Sequence, residues 1–353
     1  MTTTLPTIGY RTLPDADLVL PADAPKREWL AVRSEGIGAS DVSPILEIEL
    51  APGVYGDRYK VWKSKVDDPE DLDFDRDHPI HVGNVMEPVL RQELSERLET
   101  EIHVPGLYVC KRNPVLRFTP DGLHWDPVLG EWVLDEFKNN GGWQGIKLWA
   151  DGNTPLHPLT QVQYTMHASG IRHAIIFALA GGNSFQRRDV EYDPEIGEFL
   201  EEQVMEFWND YVLTRREPDP TALSLELLNE TFRVADPEAK PVQIDADLAR
   251  SLSDEHQTAS REAKLAKNKF DGVNARIKAL AGTSSEIIGP DGELLFTVNN
   301  DSTLRTKAIQ DEAPELWEEY QVEKKVFDTD RFKTEKADDY RRFRARSVKY
   351  KGE

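Results

Sequence analysis

Thr119-Pro120-Asp121-Gly122 is followed, beyond the apolar run Trp132-Val133-Leu134, by Asp135-Glu136-Phe137-Lys138. An acid before a short strand, then an acid and a lysine one residue apart, is a spacing that holds a divalent cation beside a positive side chain at a sheet edge. Successive side chains on a strand point to opposite faces, so Glu136 and Lys138 share one face while Asp135 and Phe137 share the other. Phe137 then faces the core, and its backbone carbonyl is placed to join carboxylates around a hard cation that prefers oxygen. Asp121 and Glu136 would supply those carboxylates. Lys138 would sit by the attacking water or the phosphate and stabilise developing charge. The predicted chemistry is metal-dependent phosphodiester hydrolysis. An ordinary exposed Glu–Lys strand pair has the same spelling, so the surrounding chain has to decide.

Working outward, residues 1–26 are rich in Thr, Pro and Asp and carry no sustained period, which predicts an extended arm. Glu28 to Arg33 predicts a short helix running into Gly36-Ile37-Gly38, with Ser40 at the start of another. Ser40 is either a plain N-cap or a cap that also holds an anion at the free N–H groups. Val54 to Val66 has the spacing of an amphipathic helix whose aromatic residues belong to the core. Pro88 is expected one turn into a helix continuing through Leu90, Leu94 and Leu98, which puts Glu87 near its N-terminus, where the dipole alone favours an acid. His81 would touch a nucleic acid or cap the turn. Strands Ile102–Val109 and Val115–Thr119 lead to Asp121, with Gly122 allowing a tight backbone. On a helix over Pro155–Ser169, His157, Gln161, Tyr164 and Ala168 share a face. The Gln161 amide donates to phosphate, or orients a metal-bound water, or is an ordinary polar surface group. Two strands, Arg172–Ala180 and Phe185–Tyr192, flank Gly181-Gly182-Asn183, and Glu195–Val212 reads as an amphipathic helix. Arg187 and Arg188 suit DNA backbone contacts or plain strand charges. This order predicts an α/β fold: a mixed central sheet with helices on its faces.

Five segments in order resemble the lambda-exonuclease and YqaJ group of viral recombinase exonucleases: Trp29-Leu30-Ala31-Val32-Arg33; Gly36-Ile37-Gly38-Ala39-Ser40-Asp41; Val82-Gly83-Asn84-Val85-Met86-Glu87-Pro88; the T-P-D-G and E-F-K segments; and Gln161-Val162-Gln163-Tyr164. The resemblance implies a PD-(D/E)xK, restriction-endonuclease-like core, magnesium or manganese dependence, and digestion of duplex DNA from 5′ ends to leave 3′ single strands. It implies that Glu87 assists Asp121, Glu136 and the Phe137 carbonyl at the metal, and that Arg33 and Ser40 grip the terminal phosphate. A ring-shaped homotrimer and a single-strand annealing partner are likewise implied. Some relatives carry a further acid in the hairpin before Asp121, where this chain has Lys111-Arg112-Asn113, so one versus two metals stays open.

The 353 residues, 39% hydrophobic and 30% charged, have room for one large domain and an appendage. A formal charge of −21 argues against a protein that coats DNA nonspecifically, because such affinity comes from clustered Lys and Arg. It is compatible with a local basic channel and an acidic exterior. Seven of the 64 acids lie between Asp67 and Asp77, which reads as a solvated loop, a calcium loop lacking its glycine signature there. Cys110 is the single cysteine, which cannot supply the four thiolates of the iron–sulfur cluster found in some nucleases of this superfamily, nor a disulfide framework. No leader-like start and no run of about 20 apolar residues is present, so a cytoplasmic protein without membrane insertion is expected.

The predicted domains are an arm at 1–26, a nuclease domain at 27–215, a Pro- and acid-rich linker at 216–243 and a C-terminal α+β extension at 244–353. In the extension, Leu252, His256, Ala259, Ala263, Ala266, Phe270, Val273, Ile277 and Leu280 step by alternating fours and threes, a heptad seam on one long helix ending at Gly282. Ile287-Ile288 and Leu294–Val298 around Pro290-Asp291-Gly292 read as a hairpin, and Pro314 begins another helix. The basic run Arg341–Arg346 suits a phosphate backbone or an edge strand. Two rival functions remain: a junction- or sequence-specific endonuclease on the same core, and a noncatalytic recombination or replication scaffold.

Overall fold

The computed structural model describes residues 13–48, 56–67, 79–232, 238–299, 306–320 and 327–342. The chain divides into two compact units, Met1–Glu230 and Thr231–Glu353, and the division falls within the Pro- and acid-rich stretch.

In the first unit the chain runs β1 (Ala16–Pro21), α1 (Lys26–Ser34), α2 (Ala39–Ile45), α3 (Arg58–Val66), α4 (Pro79–Leu98), β2 (Gly106–Cys110), β3 (Arg117–Phe118), β4 (Gly122–Asp126) and β5 (Glu131–Asn140). It continues through α5 (Gly142–Leu148), α6 (Leu156–Ser169), β6 (His173–Ala180), β7 (Ser184–Glu191) and α7 (Pro194–Phe207). Strands β1, β2 and β3 form an antiparallel sheet, and β4-β5-β6-β7 a mixed one. Among the described strands only β5 and β6 pair parallel, Val133–Asn140 with His173–Ala180. A parallel pair needs a long crossover, which α5 and α6 provide. Single bridges, Ile37 with Leu116 and His103 with Leu123, extend the pairing beyond the named strands.

Alternation along β5 sorts the core. Leu134 packs with Val42, Ile45, Val162, Ala168, Leu200, Val204 and Phe207 from α2, α6 and α7. Val133 and Phe137 point the other way, into a smaller cluster with Leu90 and Leu94 of α4, Ile102, Ile175 and Phe177. Helices therefore cover both faces of a mixed central sheet, the α/β architecture expected from the order of the elements. Each Val, Leu, Ile or Phe among them contributes about 1.5–3 kcal/mol on burial.

Several elements differ from the sequence reading. Within the stretch read as an extended arm, Ala16–Pro21 is a strand on β2 with Ala16 and Leu20 buried. Residues 1–12 lie outside the described residues. Gly122 to Asp126, for which the sequence reading gave no strand, is a strand paired with β5. Its polar His124 disguises it, because that ring is buried against Asp135 rather than exposed. Strand β2 begins at Gly106, where any Cβ would stand 2.2 Å from the Leu20 carbonyl oxygen. Helix α4 starts at Pro79, so Pro88 lies inside it and Glu87 is mid-helix rather than near the N-terminus. A proline signals a helix start only where the preceding residues do not already coil, and here eight helical residues precede Glu87. Ser40 is the second helical residue of α2, after an N-cap at Gly38. Of Val54–Val66 the first two residues lie outside the described residues, as does the acidic run beyond Asp67.

After the short α8 (Leu225–Thr231), the second unit contains α9 (Ala246–Ala281), the 36-residue helix expected from the heptads, ending before Gly282, and the hairpin β8 (Glu286–Ile288) with β9 (Leu294–Thr297). The helix expected at Pro314 runs Pro314–Glu319. Residues 343–346 of the basic run lie outside the described residues, and the backbone of Arg341 and Arg342 ends a short helix, not an edge strand.

Candidate active site

Asp121 is the last residue before β4, and Gly122 lets its backbone approach β5. A Cβ on Gly122 would stand 2.6 Å from Ile102 Cγ2 and 3.1 Å from Asp135 Cβ. The Asp121 carboxylate reaches across to β5, where Oδ2 accepts the Phe137 N–H at 2.8 Å. One residue to either side, Glu136 and Lys138 share a face, as alternation requires, and Lys138 Nζ donates to Glu136 Oε1. Their side chains are 12% and 22% exposed, so this charge pair lies largely out of water.

Glu87 comes to the same region from α4. Arg91, one turn later, donates to Glu87 Oε1 and also to the Asp121 carbonyl oxygen, at 3.1 Å through Nη2. Its guanidinium lies over the Phe137 ring, 5.8 Å from the centroid. Arg91 is thus a strut between helix, loop and strand that the sequence reading missed. The only signal for it was its i+4 spacing from Glu87.

Electrostatics ties these groups together. Burial, then the charge of Asp121, pushes the Glu136 carboxyl up to about 7 against the pull of Lys138. Burial also raises Asp121 above the ordinary aspartate range despite Lys138 and the Phe137 N–H. Glu87 rises from burial and from Asp121, opposed by Arg91. Lys138, though burial disfavours its charge, holds its proton more tightly than usual because Glu136 and Asp121 face it. Three acids with raised proton affinity around one lysine are a site of uncompensated negative charge that a bound cation would relieve.

Among the described residues, no three His, Cys, Asp or Glu side chains stand together as a ready ligand set. The carboxylates explain it: Glu87 turns to Arg91 and Glu136 to Lys138. Their chemistry still fits a hard divalent ion, since the donors are carboxylate and carbonyl oxygens converging from α4, the loop before β4, and β5.

Gln161, on α6, is 7% exposed, and its Oε1 is buried with no hydrogen-bond partner among the described residues. A buried amide oxygen left unpaired is costly, so its ordinary-surface reading is excluded and a ligand or water is expected there. One turn earlier, His157 Nδ1 lies 2.9 Å from Ser43 Oγ of α2. Burial, then Lys138, lowers the His157 pKa to about 4, which places that ring within the field of the lysine.

Arg33 and Ser40 are brought together as well. Arg33 Nη2 donates to Ser40 Oγ at 2.9 Å and to Asp41 Oδ1 at 3.0 Å. Asp41 Oδ2 takes Lys65 Nζ at 2.7 Å and the Gly38 N–H at 2.9 Å. Asp41 and Lys65 were not singled out from the sequence, and nothing local marks them, because 24 residues separate the pair. Arg188 does not present a free charge: its guanidinium donates to the carbonyls of Asn153 and Trp149, while Arg187 pairs with Asp189. His81 is partly exposed on α4. Among the described residues no helix is long and apolar enough to cross a membrane.

Residues 28–172 match the family model described as the YqaJ-like viral recombinase domain. Arg33, Ser40, Glu87, Asp121, Glu136, Phe137, Lys138 and Gln161 lie inside that span, and Arg187 and Arg188 lie beyond it. The uncharacterized protein YqaJ of Bacillus subtilis (strain 168) is 23% identical over 308 residues, covering 84% of this chain and 91% of that one. Among solved structures, the alkaline exonuclease LHK-Exo from Laribacter hongkongensis is similar at 18% identity, over 59% of this chain and 99% of its own, with a TM-score of 0.44. A phage-related exonuclease from Haemophilus somnus 129PT is similar at 11% identity, over 52% and 96%, with a TM-score of 0.38.

Proposed function

We propose that this YqaJ-like viral recombinase domain is a divalent-metal-dependent deoxyribonuclease that digests duplex DNA from 5′ ends and leaves 3′ single strands for recombination. The coarse part, a recombination nuclease, is the class of function the family supports. The finer part rests on the site. The observation that carries it is the convergence of Glu87, Asp121 and Glu136 on Lys138 with their proton affinities raised.

In this reading Asp121, Glu136 and the Phe137 carbonyl hold magnesium or manganese, with Glu87 assisting. The bound ion supplies Lewis acidity toward the phosphate and lowers the pKa of water. Lys138, kept protonated by its acidic neighbours, stabilises charge on the phosphate oxygens as attack proceeds. Gln161, with its unpaired oxygen, accepts a hydrogen bond from the attacking water and so orients it. Arg33, which here engages Ser40 and Asp41, turns part of its planar donor fork to a terminal phosphate, with Ser40 adding a hydroxyl donor. Closed circular DNA offers no such end, which separates an end-dependent enzyme from an endonuclease on the same core.

The test is a time course of nucleotide release with magnesium on linear duplexes bearing 5′-phosphate or 5′-hydroxyl ends and on closed circles. Linear DNA is digested and circles persist. Lys138→Ala and Glu136→Ala each lower the rate by about 10²–10⁴-fold, the range for positioned catalytic groups. Full activity in either variant defeats the assignment, and equal cutting of circles points to the endonuclease. Arg33→Ala is expected to erase the preference for 5′-phosphate over 5′-hydroxyl ends while sparing the hydrolytic step at saturating substrate.

A further inference from the structure

The nuclease site leaves the long helix of the second unit without a role. The heptad seam of α9 is exposed over most of its length: Leu252 is 51%, Phe270 66% and Leu280 80% exposed, while Val273 and Ile277 are half-buried. A narrow apolar stripe on an exposed 36-residue helix, about 54 Å long, is the signature of a strand awaiting a coiled-coil partner.

The flanking charges say which partner. With Leu252, Ala259, Ala266, Val273 and Leu280 as d positions and His256, Ala263, Phe270 and Ile277 as a positions, the g positions are Glu255, Glu262, Lys269 and Arg276. The first half of the g row is acidic and the second half basic. The e positions are Ser253, Ser260, Lys267, Asn274 and Ala281, nearly uncharged. In an antiparallel pair, g faces g. Setting Leu252 opposite Ile277 of a second copy brings Glu255 against Arg276 and Glu262 against Lys269, each pair twice by symmetry. All four g charges are matched. The same register sets His256 against Val273, Ala259 against Phe270, and Ala263 against Ala266, so the bulky ring meets a small residue and the alanines let the helices close in. In a parallel pair g faces the following e, which leaves Glu255 against Ser260, Lys269 against Asn274 and Arg276 against Ala281. Only Glu262 would then find a cation, Lys267. Charges at these positions set partner and orientation.

We propose that α9 pairs with α9 of a second copy of this chain as an antiparallel two-stranded coiled coil centred between Ala263 and Ala266. The surface is self-complementary, the property a closed two-fold interface requires. The pairing brings two nuclease-bearing chains into one particle, whatever the first unit does by itself.

Charge reversal in the full-length protein tests this through its mass in solution by sedimentation. Glu262→Lys sets lysine against Lys269 and is expected to weaken self-association several-fold. Lys269→Glu is expected to do the same by setting acids together, and the double variant Glu262→Lys/Lys269→Glu to restore the wild-type association. Orientation is read from disulfide formation: a mixture of Leu252→Cys chains and Ile277→Cys chains cross-links between the two kinds, and Leu252→Cys alone does not. Phe270→Asp, at an exposed position, removes the association without changing the helical circular-dichroism signal. Wild-type mass unchanged by Phe270→Asp overturns the proposal, as does a double variant no better than the singles. Cross-linking of Leu252→Cys to itself shows a parallel pair. Wild-type chain that does not self-associate through α9 leaves the seam to another occupant, a different segment or a different protein, and ends the proposal too.

Discussion

At Asp41, burial and charge pull in opposite directions. Burial pushes its carboxyl up, but Arg33, Lys65 and the Gly38 N–H overcome that and hold it at about 2. Lys65 pairs with it through a side chain only 1% exposed, and burial lowers the proton affinity of that lysine although Asp41 opposes the change. Removing one member of a buried pair leaves the other uncompensated, so Asp41→Asn is expected to cost about 3–5 kcal/mol in urea unfolding at neutral pH. Folding makes Asp41 more acidic than its ordinary 3.8, so its titration supports the fold fully above that pH. This support, about 2 kcal/mol, is lost as the pH falls from 3.8 through about 2. Stability of Asp41→Asn that matches the wild type at neutral pH would remove the buried pair from this account. At the same scale, Glu136 and Lys138 were legible from alternation alone, because strand geometry fixes which side chains share a face. Their partners Glu87 and Arg91 arrive from a helix whose placement no local rule sets.

Among the elements, α6 is the one that joins the two halves of the candidate site. Its Tyr164 hydroxyl donates to the Ile37 carbonyl at 2.6 Å, next to the segment bearing Ser40, while His157 meets Ser43 and Gln161 lies one turn further on. His157 remains neutral when folded, with a pKa of about 4 in place of 6.5. The unfolded chain takes up that proton first, so stability is whole above pH 6.5 and falls by about 3 kcal/mol as the pH drops to about 4. Denaturant midpoints measured across that window should decline in the wild type and decline less in His157→Gln. Parallel curves for the two proteins would mean that another group carries the slope. Among the elements that the sequence announced, β5, α6, β6, β7, α7 and α9 stand where their apolar patterns put them. Strand β1 escaped notice because its pattern is short, β4 because a buried His–Asp pair replaces apolar residues on one face, and the start of α4 because Pro88 imitates a first turn.

On the scale of the whole molecule, the two hydrophobic clusters among the described residues lie in the first unit. A chain ending at residue 230 is therefore expected to fold cooperatively and to retain magnesium-dependent nucleotide release, with thermal unfolding and the duplex assay as readouts. Loss of activity in a fragment that still unfolds cooperatively would give the second unit a part in hydrolysis. The net charge of −21 describes the chain as a whole, whereas Arg33, Lys65, Arg91 and Lys138 all lie in the first unit and each meets an acid there. The sequence by itself determined the acid, strand, acid and lysine of Asp121 to Lys138, the mixed α/β architecture and the heptad seam, because each is written in the two- or 3.5-residue periods of single elements. Only the tertiary structure decided that Arg91 braces Glu87, that Lys65 balances Asp41, and that Gln161 is left with a buried unpaired oxygen. Such pairings join residues from elements that approach one another through the packing of the whole core, and no local period encodes that approach.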